Sequence, residues 1–564
     1  MDVKNKIIEN LGSNLSHMDV SAEVELEPTA TTEHGDYSSN IALKLSKTLG
    51  KNPREIAEDI VRYYKELNDP NVEKVEVAGP GFINFWVAKD VLLNNLGSIC
   101  EKEDKYGQGD LFNSKKVMVE FTDPNPLKEF HIGHLYSNAV GESLARLFES
   151  QKAEVWRVCY QGDVGLHVAK AIFGILNHKE GIKSVEDKPL SARAKFLGEA
   201  YALGAQSYEN DAEAKKEIES LNKRIYEKDP SIYPLYETAK GWSLEYFETL
   251  YLKLGTRFKR YYFESEAGEV GLGIVKKHIG DVFKEEGGAV IFPKEKSGLH
   301  TRVFINSISL PTYEAKELGL APTKYKDFAY DISVIVTGNE INEYFKVLLK
   351  ALSLIEPDLA AKTRHIAHGM VRLPSGKMSS RTGDVVTGDW LLNETEDKIK
   401  KEFENTDPKT LGKIAVAAVK YALLKSNIGG DITFSFDESV SINGNSGTYL
   451  QYTYVRTQSV IGKAQSAYNK EINKLAVNLE KEEEGLLRTL IHYPEVVLSA
   501  SQNYSPNIVC NYLFDLSQKF NLFYQKHKII GSENQEFRLT LTKAVGQVLK
   551  NGLHILGIET VEKM

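Results

Sequence analysis

The sequence of 564 residues predicts an α/β fold built on a parallel sheet, with a small α/β module before it and an all-helical segment after it. Three observations predict this. Val117, Val119 and Phe121 alternate with Met118 and Glu120 as in a strand, which runs through Asp123-Pro124-Asn125-Pro126 into a helix striped by Leu135, Ala139, Val140, Leu144, Leu147 and Phe148. Residues 331–337, DISVIVT, read as a second buried strand, and from about residue 384 the chain becomes helical in texture. At 42% hydrophobic and 26% charged residues the chain is an ordinary globular one, long enough for about three or four domains.

The first module begins with MDVKNKIIENLGSNL, which lacks the regions of a signal peptide. In the turn from Glu33 to Asn40, polar residues lead into a helix carrying Ile41, Leu45 and Leu49, and Asn52-Pro53 caps and opens another with Ile56, Ile60 and Tyr63. Residues 75–77 and 82–87 read as strands joined through Gly79-Pro80-Gly81. Nowhere do about eighteen apolar residues run together, so no membrane span is expected. Cys100, Cys159 and Cys510 are too few and too scattered for a disulfide framework or a CxxC metal site, which fits a reducing compartment. The net charge of −8 argues against nonspecific coating of nucleic acid, yet residues 441–564 carry 13 Lys and Arg against 11 Asp and Glu. The acidity therefore lies upstream of that segment.

The central βα unit has a chemistry of its own. Unpaired backbone N–H groups and the positive end of the dipole favour phosphate at a helix N-terminus, and His131 and His134 sit there. A histidine donates to phosphate oxygens and, when protonated, offsets charge on a pentavalent phosphorus, while Gly133 leaves room for close approach. After the helix, residues 155–160 read as another strand ending in Gly162-Asp163-Val164-Gly165. Residues of about 170–300 read as charged helices followed by an apolar strand at 289–292.

His131-Ile132-Gly133-His134 is the HIGH signature of class I aminoacyl-tRNA synthetases, and Lys377-Met378-Ser379-Ser380-Arg381 resembles their second signature, KMSKS, in the expected order. Other phrases are similar to the arginyl-tRNA synthetases in particular. These are GDYSSNIALKLSK, NPREIA and VAGPGFINF in the first module, Val119-Glu120-Phe121, Pro124-Asn125-Pro126, Lys128 and Phe130 before the first signature, and GTYLQYTYVRTQSVI and LHILGIETVEKM near the end. The resemblance implies a small α/β N-terminal domain (1–108) touching the outer corner of tRNA. It implies a Rossmann-type catalytic domain (109–385) with a helical/β insertion at about 170–300, a helical connecting region (386–440) and an all-α anticodon-binding bundle (441–564).

It also implies an enzyme of translation in the cytoplasm, a monomer without membrane association. With ATP and Mg²⁺ it would convert L-arginine to arginyl-adenylate and pass it to the 2′-OH of the terminal adenosine of tRNA(Arg). Carried over residue by residue, His131, His134, Lys128 and Lys377 are catalytic, and His131, Gly133, His134, Lys377, Met378, Ser379, Ser380 and Arg381 hold ATP. No side chain is assigned to a metal. Glu120 and Asn125 hold the amino acid, while Tyr313 and Glu317 match a tyrosine and, four residues on, an aspartate that face the guanidinium. Positions i and i+4 share a helix face, and a carboxylate binds a guanidinium through a fork that lysine's ammonium cannot reproduce.

Tyr449, Gln451, Tyr452, Arg456, Tyr524 and Lys526 are the tRNA candidates, rings for stacking and cations for phosphate. His365 and His368 are read as positioning the second-signature loop or the adenine, or as packing residues. Several positions depart from the family pattern. Val164 stands for a tryptophan, Tyr136 for an arginine, Glu317 for aspartate and Ser380 for the second lysine of KMSKS, whose role falls to Lys128. Ile341 stands where a substrate-holding glutamine is usual, leaving Asn339 or Glu340 to replace it. A catalytically silent tRNA-binding paralogue, a small-molecule nucleotidylyltransferase and a class I synthetase for another amino acid remain as rival readings.

Overall fold

The structure, a computed structural model, describes residues 3–18, 20–29, 32–374, 386–404, 406–464 and 478–564. Lys377, Met378, Ser379, Ser380 and Arg381 lie outside the described residues. The chain forms two compact units, one of residues 108–452, 497–511 and 552–564, the other of residues 1–107, 453–496 and 512–551.

The larger unit is organised by a five-stranded sheet of β1 (Lys116–Glu120), β2 (Glu154–Gln161), β3 (Arg260–Phe263), β4 (Ile332–Gly338) and β5 (Thr363–His368). All neighbours pair in parallel, in the order 3-2-1-4-5. That order reverses between β1 and β4, and such sheets bind ligands in the crevice beyond the carboxyl ends at that switch point. β1 ends there at Glu120 and β4 at Gly338. The alternation along β1 predicts one buried face, but Met118 and Glu120 are as buried as Val117 and Val119. Both faces of the strand are covered, as a central strand of a parallel sheet requires.

Helix α1 (Ile132–Ser150) follows β1 directly. Helices α2 (Glu264–Lys277) and α3 (Tyr313–Asp327) pack so closely that a methyl group on Gly271 would overlap the carbonyl of Ala315, and one on Gly319 the carbonyl of Ala267. Helices Leu190–Asn210, Ala212–Tyr226 and Tyr233–Lys253 enclose a second core that includes Ile172, Phe196, Leu221 and Trp242. Strands Lys284–Glu286, Ala289–Phe292 and Arg302–Ile305 make a small antiparallel sheet. One expectation is corrected here, because the stretch read as an insertion contains β3, a strand of the main sheet. Its four residues, RYYF, are too short to show a period between long helices.

In the smaller unit, an antiparallel sheet in the order Glu27–Pro28, Tyr37–Ser39, Phe82–Val87, Val72–Ala78 packs with helices Val3–His17, Ile41–Leu49, Pro53–Glu66 and Lys89–Lys102. Tyr37–Ser39 is a strand where the polar run reads as a turn; its pairing with Phe82–Val87 overrides the local preference. Asn52 accepts from the Arg54 N–H, the cap expected of it. Arg488, in helix Lys481–Ile491, joins this module to the helical segment through a buried ion pair with Asp36, and also holds Glu484 at 2.7 Å. Leu513, Leu516, Phe520 and Phe523 are fully buried along one helix stripe.

Candidate active site

The first signature builds its own helix cap. His131 precedes α1, and its Nδ1 accepts from the Gly133 N–H at 3.1 Å, while the His134 Nδ1 accepts from the His131 N–H at 3.1 Å. This reciprocal arrangement satisfies two orphan donors of the first turn. With each Nδ1 accepting, each neutral ring carries its proton on Nε2, so the stacked pair, 3.6 Å between centroids, has two N–H donors left for a ligand. Burial, with Lys128 and His368 adding to it, pushes the His131 pKa down to about 4. Burial, then His131, holds His134 well below its usual value. Before ATP binds the two rings are therefore neutral donors, because an imidazolium here would be desolvated beside other cations. Gly133 has a local duty as well, since a Cβ there would come within 3.0 Å of the His131 ring.

Between β1 and this cap the backbone is held in conformations that side chains resist. Thr122, Asp123 and Leu127 have φ of 79°, 45° and 66°, each costing on the order of 1–3 kcal/mol unless its surroundings impose it. The surroundings do. Thr122 N–H donates to Ser137 Oγ at 2.9 Å, Asp123 Oδ1 accepts from the Tyr160 N–H at 2.7 Å, and Leu127 N–H donates to Ser243 Oγ at 2.9 Å. Asn125 lies against Gly162, where any side chain would collide with its amide oxygen. Lys128 stands over the Tyr201 ring at 4.9 Å, and burial lowers its pKa to about 8 against the pull of Glu264.

Beyond the strand ends the structure gathers carboxylates. Glu120 is buried and bound by Lys324 Nζ at 2.5 Å. Glu264, at the end of β3, is buried and bound by Lys316 Nζ at 2.6 Å. Glu317, one residue after Lys316 on α3, feels both Glu120 and Asp123; burial first, then Glu120, raises its pKa well above the carboxylate range, with Lys324 opposing. Asp123 is raised in the same way, by burial and then Glu120. Two of the four carboxylates thus hold a resident lysine in a tight pair, and among the described residues Glu317 and Asp123 do not. Glu264 was missed in the sequence, its one signal being a carboxylate directly after a short aromatic strand.

Tyr313 is 57% exposed, with Lys316 Nζ 5.2 Å from its ring centroid and its carbonyl accepting from the Tyr344 hydroxyl at 3.1 Å. Glu340 is exposed and folds back over Gly338; Asn339 is half-buried, and Ile341 packs against the apolar core. His365 stacks on Phe345 and meets the Thr337 hydroxyl at 2.7 Å, and His368 lies 4.5 Å from the ring of Tyr136. Val164 is buried in the core of the neighbouring helices. Of the tRNA candidates, Gln451 is corrected: it is fully buried and donates to the Glu559 carbonyl at 2.7 Å, so it offers tRNA no surface. Tyr449 and Tyr452 are half-buried. Tyr524 is 41% exposed with the Arg456 guanidinium 4.8 Å from its ring centroid, and Lys526 pairs with Glu482 at 2.6 Å.

A phosphate-seeking helix cap and a cation-seeking carboxylate cluster thus meet at the switch point of a 3-2-1-4-5 sheet, and the catalytic domain that carries them is that of a class I aminoacyl-tRNA synthetase. The family model described as "tRNA synthetases class I (R), catalytic domain" matches residues 95–436. The models for "Arginyl tRNA synthetase N terminal domain" and "DALR anticodon binding domain" match residues 3–87 and 450–564. The chain is similar to an arginine–tRNA ligase of Treponema denticola, 31% identical over 96% of this chain and 95% of that one. Another, of Borrelia hermsii, is 30% identical over 100% and 98%. The solved arginyl-tRNA synthetase of Thermus thermophilus, 22% identical, superposes over the whole of both chains with a TM-score of 0.80, which speaks for the fold. The chain belongs to the arginyl-tRNA synthetase family.

Proposed function

We propose that this chain is an arginine–tRNA ligase, which activates L-arginine with ATP and transfers it to tRNA(Arg). What supports the reading is the juxtaposition of two neutral imidazole N–H donors at a helix N-terminus with the carboxylates gathered beyond the strand ends. In the first step a carboxylate oxygen of arginine attacks the α-phosphorus of ATP in line, the bond to the β-phosphate oxygen breaks, and arginyl-adenylate and pyrophosphate form. His131 and His134 donate from Nε2 to the phosphate oxygens as charge builds there. Lys128 supplies a cation, and Lys377 a second from the KMSSR segment. Glu317 accepts the guanidinium in a fork, Tyr313 borders it, Asn125, Asn339 and Glu340 are the candidates for the α-amino end, and Glu120, held by Lys324, supplies negative charge behind them.

In the second step the 2′-OH of the terminal adenosine attacks the activated carbonyl and AMP leaves; positioning carries this step, so no protein nucleophile is required. Among the described residues no three His, Cys, Asp or Glu side chains gather to hold a metal. Mg²⁺, carried on the triphosphate, would neutralise phosphate charge. Tyr524 with Arg456, and the Tyr449–Tyr452 turn, are the proposed tRNA contacts, and the enzyme acts as a cytoplasmic monomer. The test is ATP–pyrophosphate exchange with each of the twenty amino acids in the presence of bulk tRNA. Exchange with arginine alone, and only when tRNA is added, is expected; exchange driven by another amino acid would overturn the assignment of substrate.

A further inference from the structure

One buried hydroxyl near the site, that of Tyr160, has no role in the steps above. Tyr160 stands near the carboxyl end of β2, two residues beyond Val158, which is in register with Glu120. Its backbone N–H is held by Asp123 Oδ1 at 2.7 Å, which fixes the main chain there at the strand ends. Its Oη is buried, and among the described residues no hydrogen-bond partner reaches it. The ionisable groups that act on it are the carboxylates of Glu264, Glu317 and Glu120 and the phenol of Tyr344. A buried hydroxyl without a partner costs about 1–3 kcal/mol, and such groups in a folded protein call for an explanation.

Hydrogen-bond accounting supplies one. An arginine side chain presents five N–H donors and accepts nothing. A carboxylate fork takes two of them. Glu120 and Glu264 are already engaged by Lys324 and Lys316, so the remaining guanidinium donors need neutral acceptors close to Glu317. A phenol oxygen is a neutral acceptor and has a lone pair free for one such N–H. Resting on the arginine–tRNA ligase reading, we infer that Tyr160 is a further specificity-determining contact of this site, its hydroxyl accepting one guanidinium N–H of the substrate beside Glu317.

The experiment is steady-state arginylation by the full-length enzyme and by Tyr160→Phe, varying arginine and ATP separately and melting both proteins without substrate. The wild type is expected to charge arginine. The variant is expected to show an arginine KM higher by about tenfold or more, as the loss of a hydrogen bond to a charged group implies. Its ATP KM stays unchanged, and its Tm stays equal or rises because an unsatisfied hydroxyl has been removed. An unaltered arginine KM overturns the inference while leaving the ligase reading intact. A fall of Tm also overturns it, since the hydroxyl would then have a partner within the fold. Failure of the wild type to charge arginine would instead bring down the reading on which the inference rests.

Discussion

At the scale of single residues the site is a set of displaced pKa values with identifiable causes. Burial and Glu120 raise Glu317, so the folded chain holds that proton more tightly than the unfolded chain does. The group's contribution to stability is therefore complete below the ordinary carboxylate range and is lost as pH rises through its elevated folded pKa. Glu317→Gln is accordingly expected to raise the Tm of the empty enzyme at pH 8 while weakening arginine about a hundredfold and leaving ATP alone. Melting curves and the two KM values check this, and a lower Tm would mean the carboxylate has a structural partner. Lys128 titrates at about 8 in the empty site, so the ATP KM should climb as pH passes that value. Lys128→Arg, whose charge persists, should flatten the profile. The motifs made His131, His134 and Glu317 legible in the sequence, but not their protonation. That depends on which charges and how much protein surround them, and only the fold assembles these.

At the scale of elements, the closeness of α2 and α3 sets the spacing of Glu264, Lys316 and Glu317. Gly271 and Gly319 allow the two backbones to touch, and neither position has room for a methyl group. Gly319→Ala should push α3 outward, raising the arginine KM at least about tenfold and lowering the Tm by several degrees, because overpacking typically costs about 1–3 kcal/mol. Kinetics and a melt on one preparation check both, and unchanged values for both would refute the packing argument. β1, β2, β4 and α1 could be read from their apolar periods, since each is long enough to show one. β3 could not, being four residues fixed by pairing with β2. Its concealment also hid Glu264, whose meaning comes entirely from standing at the end of a sheet strand.

At the scale of the whole molecule, residues 1–107 fold together with residues 453–496 and 512–551. The buried Arg488–Asp36 pair is part of that union, with Tyr106 donating to the Leu490 carbonyl at 3.1 Å. Removing one partner of a buried pair costs roughly 3–5 kcal/mol. Arg488→Ala should therefore destabilise this unit and raise the KM for tRNA while calorimetric arginine binding stays as in the wild type. A change in arginine binding of similar size would show that the two functions are not separable. Nothing in the sequence signals that the first and last segments share one unit, because the contacts that join them lie some 450 residues apart, as from Asp36 to Arg488.

Labelled arginine, with lysine and glutamine as parallel controls, is incubated with the enzyme, bulk tRNA, ATP and Mg²⁺, and label attached to tRNA is counted. Attachment of arginine alone is the predicted result. Attachment of lysine or glutamine, or of none of the three by a protein that still binds tRNA, would contradict the account.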